Sequence, residues 1–296
     1  MISKGFIRMG IALYKIDRAI SIAWRRQKPV RMDEKLDKTG RVTQTRQDLK
    51  VMEYEPDVRL VNYPGNYAHS IWRSQELSLF VRYKEYLMRP RLDFGCGDGS
   101  FAFMLFDRVD YGLDMDPEAL QVADQYHVYG QLACCDGALL PVKPQSLRSI
   151  FSNSVLEHVD KIKETLSELY DSLAPGGFFL FTVPVLNFAN HLRRYFGEEE
   201  SNRINQLWYH RHLHPSEWWS DLLQKQNFEI VRIECYQPDW FTLAYFTLAT
   251  RPFRTLFRCG LAEKEGYRRR VARMISASVT STVEGGNIFV IARRSR

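Results

Sequence analysis

The chain has 296 residues, 45% of them hydrophobic and 26% charged, a globular composition that suits one large domain with additions or two small ones. Five cysteines (Cys96, Cys134, Cys135, Cys235, Cys259) form no CxxC pair, which argues against a zinc or dithiol site and for reduced thiols in a cytoplasm. The net charge of +6 resides in residues 1–28, where seven basic side chains meet one acid, Asp17; a nucleic-acid enzyme would carry such charge around its active site, so no nucleic-acid partner is expected.

No apolar run is long enough to cross a bilayer, and Lys4, Arg8 and Lys15 break what would be the apolar segment of a signal peptide. Ile2, Phe6, Met9, Leu13, Ile16, Ile20 and Trp24 instead follow helical spacing and predict one amphipathic helix. A basic helix of this kind lies on an anionic membrane, the inner face being the expected site, docks on a partner, or packs on its own core. Residues 31–57 are polar and aperiodic and read as a linker or arm, and residues 69–88 read as a helix.

From there strands and helices alternate. Strands are predicted at Arg91–Phe94, Val109–Leu113, Gln131–Cys134, Ser149–Ser152 and Phe178–Val183. Helices are predicted at Ser100–Phe106, at Pro117–Tyr126 behind an Asp116-Pro117 start, at Lys161–Leu173 and at Pro215–Gln226. Phe228–Tyr236 and Asn287–Ala292 read as the two arms of an antiparallel closing hairpin, and the long segment between them reads as a functional insertion. The fold class expected is α/β: a Rossmann-like doubly wound sheet, mostly parallel, with that hairpin, an N-terminal helical extension and an insertion in the hairpin. Four segments follow: a basic amphipathic helix (1–28), a linker or arm (29–65), a core (66–235 with 284–296) and an insertion or cap (236–283).

Leu92-Asp93-Phe94-Gly95-Cys96-Gly97-Asp98-Gly99 ends a strand and opens a helix, where glycines allow a tight turn and close approach to a ligand. Asp114 closes the next strand, where a carboxylate can accept both hydroxyls of a ribose. Asp93, aimed at the turn, would repel a pyrophosphate and attract an ammonium, which favours adenosylmethionine over a dinucleotide.

LDFGCGDGSF, GLDMDPEAL, CCDGALLPV, SNSVLEHV and LAPGGFFLFTVP resemble, in order, the motifs of class I S-adenosylmethionine-dependent methyltransferases of the ubiquinone-biosynthesis-like group. The resemblance covers about residues 88–235 and the last strand, and departs from the group at Ser146-Leu147-Arg148, where an Asp-rich turn is usual. It implies S-adenosyl-L-methionine as cofactor. Asp93, Gly95, Cys96 and Gly97 would surround its methionine part, Asp114 its ribose and Met115 one adenine face. Asp136 and Gly137 would lie at the adenine amino group, and Asn153 and Ser154 below the sulfonium. The segment before the first strand often closes over the cofactor in this superfamily; Asn66, Tyr67 and Arg73 are the candidates, with Arg73 pairing the methionine carboxylate or standing as a surface residue.

On the acceptor side, His158 follows Glu157 past the fourth strand, and His210, His212 and His214 alternate in a segment that would share one side if extended. Each is a candidate base or hydrogen-bond partner for the acceptor, or a loop-packing residue. The metal-binding ExxEH pattern of small-RNA methyltransferases is broken by Ser154, so no metal is expected. Trp240–Leu248 is an aromatic stretch that roofs an apolar pocket, touches a bilayer or packs on the core. The reading is methyl transfer to a small molecule, hydrophobic or carrier-linked, at a membrane surface. A soluble methyltransferase of a polar metabolite or glycan, and a non-catalytic cofactor-binding scaffold, are the alternatives; oligomeric state is not legible.

Overall fold

A computed structural model describes residues 8–15, 50–55, 58–62, 67–250, 265–278 and 285–295. Most of the amphipathic helix and of the arm, Asn66, the Tyr67 side chain and part of the insertion, with Arg251, Arg254 and Arg258, lie outside the described residues.

Residues 8–15 form helix α1. The arm contains an unexpected antiparallel pair, β1 (Lys50–Glu55) and β2 (Val58–Asn62). Two serines of α2 (Tyr67–Arg82) hold it: Ser74 Oγ accepts from Val61 N at 2.8 Å and Ser78 Oγ from Arg59 N at 3.0 Å. Local sequence carries little sign of this pair, because the amides of Arg59 and Val61 find their partners on α2, elsewhere in the chain.

The core then runs β3 (Arg91–Phe94), α3 (Ser100–Leu105), β4 (Val109–Asp114), α4 (Pro117–Gln125), β5 (Tyr129–Cys134), β6 (Leu147–Asn153), α5 (Ile162–Ser172) and β7 (Leu173–Pro184). Asp116 caps α4 by accepting from Glu118 N at 2.9 Å and Ala119 N at 3.3 Å, with Pro117 in the first turn, as the sequence predicts. After β7 come α6 (Leu186–Phe196), α7 (Glu198–Leu207), α8 (Ser216–Lys225), β8 (Phe228–Tyr236), α9 (Asp239–Leu248), α10 (Glu265–Ser278) and β9 (Asn287–Arg294).

These strands make a seven-stranded sheet in the order β5-β4-β3-β6-β7-β9-β8. The pairs from β5 to β7 are parallel; β9 is antiparallel to both β7 and β8. This is the Rossmann-like sheet with its closing hairpin. The order reverses between β3 and β4 on one side and β6 on the other, so the carboxyl ends of β3, β4 and β6 open one crevice.

Strand alternation sets the two core layers. In β9, Ile288, Val290 and Ala292 face the layer under α5 and α8, while Phe289 and Ile291 face the layer under α2 and α10. Each fully buried Ile, Val or Phe side chain among these stabilises the fold by about 1.5–3 kcal/mol. A third, aromatic cluster joins α2, α6, α7 and α9 around Trp72, Phe188, Phe241 and Phe246. It places the helix that follows β8 over the acceptor end of the crevice.

Helix α1 packs on that cluster. A Cβ on Gly10 would meet Thr247 Oγ1 at 2.6 Å, and Tyr14 packs against Phe196 with ring centroids 4.3 Å apart and donates to Glu200 Oε1 at 2.5 Å. Met9, which belongs to the apolar stripe, is 46% exposed. The docked face is therefore Gly10 and Tyr14, displaced from the stripe that periodicity marks.

Candidate active site

The crevice holds a cleft of about 600 Å³ lined by Asp93, Gly95, Cys96, Gly97, Asp114, Met115, Asp136, Asn153, Ser154 and Arg73. Its floor is the β3–α3 turn. Gly95, at φ +74°, lies so close to Val155 that a Cβ would overlap it at 2.4 Å, while a Cβ on Gly97 would meet nothing within 4 Å. The chain is thus pinned at Gly95 and bare at Gly97, where the cleft lies. The amides of Gly95 and Cys96 both donate to Leu113 O, at 2.8 and 2.9 Å, and Gly97 N donates to Asp114 Oδ2 at 2.7 Å. The amides of Gly95, Cys96 and Gly97 are therefore paired within the protein, and what the turn offers the cleft is space.

Asp114 stands at the end of β4, oriented by Gly97 N and by Asp116 N at 2.9 Å. Met115 is 75% exposed beside it, a sulfur-bearing apolar surface of the kind a planar base covers. Asp136 accepts from Ala138 N at 3.0 Å, which fixes its turn. Gly137 is a correction: its Cβ would meet the Phe94 ring at 2.6 Å, so it packs on β3 and does not line the cleft.

Asp93 is buried and accepts from Tyr129 Oη at 2.7 Å. Burial pushes its carboxyl up to about 7; the Tyr129 hydrogen bond pulls it down, and the Asp114 and Asp98 charges add to the rise. A cationic ligand nearby would return it to the ionised form. Asn153 and Ser154 meet an acid the sequence reading did not single out. Glu76 of α2 accepts from Asn153 Nδ2 at 3.0 Å, Ser154 Oγ at 2.8 Å, Trp72 Nε1 at 2.8 Å and Arg73 Nη1 at 2.5 Å. Arg73 reaches the cleft from a buried ion pair with Glu76.

An adjoining cleft of about 370 Å³ shares His69, Arg73, Ser154 and His158 with the first and adds Trp72, Glu157, Trp208, His210 and Tyr245. Two of the four candidate histidines meet here, their rings stacked 5.6 Å apart. His158 Nδ1 lies 3.1 Å from Tyr209 O, and a carbonyl can only accept, so Nδ1 carries the proton and Nε2 is the basic nitrogen. His210 Nδ1 likewise faces Asn205 Oδ1 at 2.9 Å. Burial lowers both: His158 falls below its usual range despite its bond to Tyr209, and burial with the neighbouring His158 takes His210 to about 3. Burial and Arg73 take His69 to about 3.

His212 and His214 are corrections. His212 Nε2 donates to Val159 O at 2.7 Å, and His214 stacks on Trp218 with centroids 3.8 Å apart. Neither lines either cleft. The segment is not one extended run with all three on one side, because Arg211 N and His212 N are both drawn to Glu157 O, at 2.8 and 3.2 Å. Among the described residues no three His, Cys, Asp or Glu side chains converge to hold a metal ion.

Residues 92–181 match the family profile of a methyltransferase domain. This chain carries a methyltransferase domain, on the fold of class I S-adenosylmethionine-dependent methyltransferases. A methyltransferase of Mycobacterium tuberculosis is 28% identical to it over 135 residues, 43% of this chain and 68% of that protein. The malonyl-[acyl-carrier protein] O-methyltransferase of Yersinia pestis is 32% identical over 94 residues, 31% of this chain and 35% of that protein. Among solved structures, phosphoethanolamine N-methyltransferase 2 of Haemonchus contortus in complex with S-adenosyl-L-methionine superposes with a TM-score of 0.51 at 17% identity, covering 77% of this chain and 57% of that one. That likeness concerns the fold. The residues of this methyltransferase fit its cofactor: an acid for a ribose, a buried acid for an ammonium, and an open glycine between them.

Proposed function

We propose that this methyltransferase transfers its methyl group to an O–H or N–H group of a small, largely apolar molecule, with His158 as the general base. The observation that carries the reading is the hydrogen bond from His158 Nδ1 to the Tyr209 carbonyl. It leaves Nε2 unprotonated on a ring that lines both clefts, where donor and acceptor must meet. In-line displacement needs the nucleophile held against the methyl carbon and relieved of its proton. An imidazole already lowered by burial is neutral at pH 7 and can take that proton.

The apolar character of the acceptor is supported by the cleft wall, where Trp72 lies 4.9 Å from Tyr245 and 6.1 Å from Trp208 between ring centroids. A carrier-linked acceptor has less in its support, since the match to the Yersinia pestis protein covers only 35% of that protein. The test is a His158→Asn variant with transfer from methyl-labelled cofactor: turnover should fall by about 10²–10⁴-fold while cofactor affinity stays near that of the parent. Unchanged turnover would remove His158 from the chemistry.

A further inference from the structure

Glu157 is an ionisable group of the acceptor cleft that the transfer itself does not use. Its side chain is 2% exposed, lines the cleft, and among the described residues has an Oε2 with no hydrogen-bond partner. It is faced by Glu76 and Arg73 from α2, by His158 beside it with Nε2 at 3.7 Å from Oε1, and by Tyr236 of β8; His210 and Tyr245 line the same cleft. Buried carboxyls are normally paired, so an orphaned oxygen at a cleft wall calls for a ligand.

The charges around it select the ligand. Arg73 is the one Lys or Arg among the described residues lining either cleft, and Glu76 already pairs with it. An anionic acceptor group would add negative charge beside two carboxyls against that single cation. A cationic group would instead complete the set. Trp72, Trp208 and Tyr245 form a continuous aromatic wall, with Trp208 and Tyr245 centroids 6.2 Å apart, and aromatic faces attract cations.

We propose that the acceptor presents a basic nitrogen to this cleft, an alkylamine, with Glu157 as its counter-ion and the Trp72–Trp208–Tyr245 wall along its carbon chain. The inference rests on the methyl-transfer reading above and names the acceptor class of that site. The amine arrives as an alkylammonium, and one N–H proton passes to Nε2 of His158. The freed lone pair forms the N–CH3 bond as the C–S bond of the sulfonium breaks, its electron pair staying on sulfur to give the thioether. The product secondary ammonium keeps one positive charge beside Glu157, and the proton on His158 passes to solvent.

Burial, opposed by a main-chain hydrogen bond and by Arg73 and reinforced by Glu76, pushes the empty-cleft Glu157 carboxyl up to about 8. Binding a cation at pH 7 must therefore displace its proton. Benzylammonium, benzyl alcohol and benzoate share a shape and differ in charge, so they separate the possibilities. Each is titrated calorimetrically into the full chain at pH 7, with and without S-adenosylhomocysteine, in two buffers of different ionisation enthalpy. Benzylammonium should bind about tenfold or more tighter than the other two and release up to about one proton, and Glu157→Gln should abolish both effects. If that variant does not fold, proton release by the parent chain decides. Benzyl alcohol or benzoate binding as tightly as benzylammonium, absence of benzylammonium binding, or binding without proton release overturns the inference. Failure of S-adenosylhomocysteine to bind counts against the methyl-transfer reading alone, because the titrations without it still decide the amine.

Discussion

Tyr129, at the start of β5, reaches across β4 to donate a 2.7 Å hydrogen bond to Asp93 on β3. Gly112 lies between them in register with Asp93, and a Cβ there would meet the Tyr129 ring at 2.8 Å. Gly99 clears the other side, with a Cβ-to-ring distance of 3.0 Å. Two glycines thus make room for one phenol to orient the buried acid of the cleft.

Tyr129→Phe removes a bond that pulls the Asp93 carboxyl down, so the Asp93 pKa should rise further above about 7. Cofactor affinity, measured by calorimetry from pH 6 to 9, should weaken on the acid side as Asp93 takes up its proton. In the variant that weakening should begin at higher pH. An unchanged profile would mean that Asp93 does not face the ammonium.

Asp114→Ala removes the carboxylate that two backbone amides orient. Charge-assisted hydrogen bonds contribute about 1.5–3 kcal/mol each, so cofactor affinity should fall by about ten- to a hundredfold or more. A variant with parental affinity would place the ribose elsewhere.

His212→Ala and His214→Ala should keep parental turnover, in contrast to His158→Asn. The loss of stacking on Trp218 should cost about 1 kcal/mol of stability each, visible as a fall of a few degrees in Tm. Loss of turnover at either position without loss of stability would return that histidine to the chemistry.

The raised Asp93 carboxyl has a definite sign in stability. Its folded value, about 7, lies above the unfolded value of 3.8, so the folded state holds the proton more tightly. The stability this contributes is full below about pH 4 and is lost as pH rises through 7. Asp93→Asn, which cannot ionise, should therefore gain in Tm relative to the parent as pH increases from 5 to 8, in cofactor-free protein followed by circular dichroism. A constant difference would contradict the buried, raised acid.

The strand and helix alternation, the cofactor turn and the acids at the strand ends were legible because each is a local signal: a period, a cap, a glycine in a tight turn. What was not legible depends on distant partners. Tyr129 acts only because Gly112 and Gly99 are bare, and Glu76 is an active-site acid only because α2 folds back under Asn153 and Ser154. His210 and His212 look alike in sequence, yet Asn205 claims one and Val159 the other.

The amphipathic stripe at residues 1–28 offers a further outcome. Gly10 and Tyr14 dock on α9, α6 and α7, while Met9, one of the two stripe residues described, is exposed; we propose that the stripe meets an anionic membrane. Full-length protein should float with anionic vesicles at low salt and less at high salt, since each basic group near the surface contributes about 1 kcal/mol. Absence of flotation under all these conditions would assign the stripe to the protein's own packing.

The crevice takes S-adenosylmethionine. Calorimetric titration of the full chain with S-adenosylmethionine and, separately, with NAD is the decisive measurement. S-adenosylmethionine should bind one-to-one, with affinity weakened by Asp93→Asn and Asp114→Ala, and NAD, whose pyrophosphate would sit against Asp93, should not bind. Binding of NAD with none of S-adenosylmethionine would contradict it.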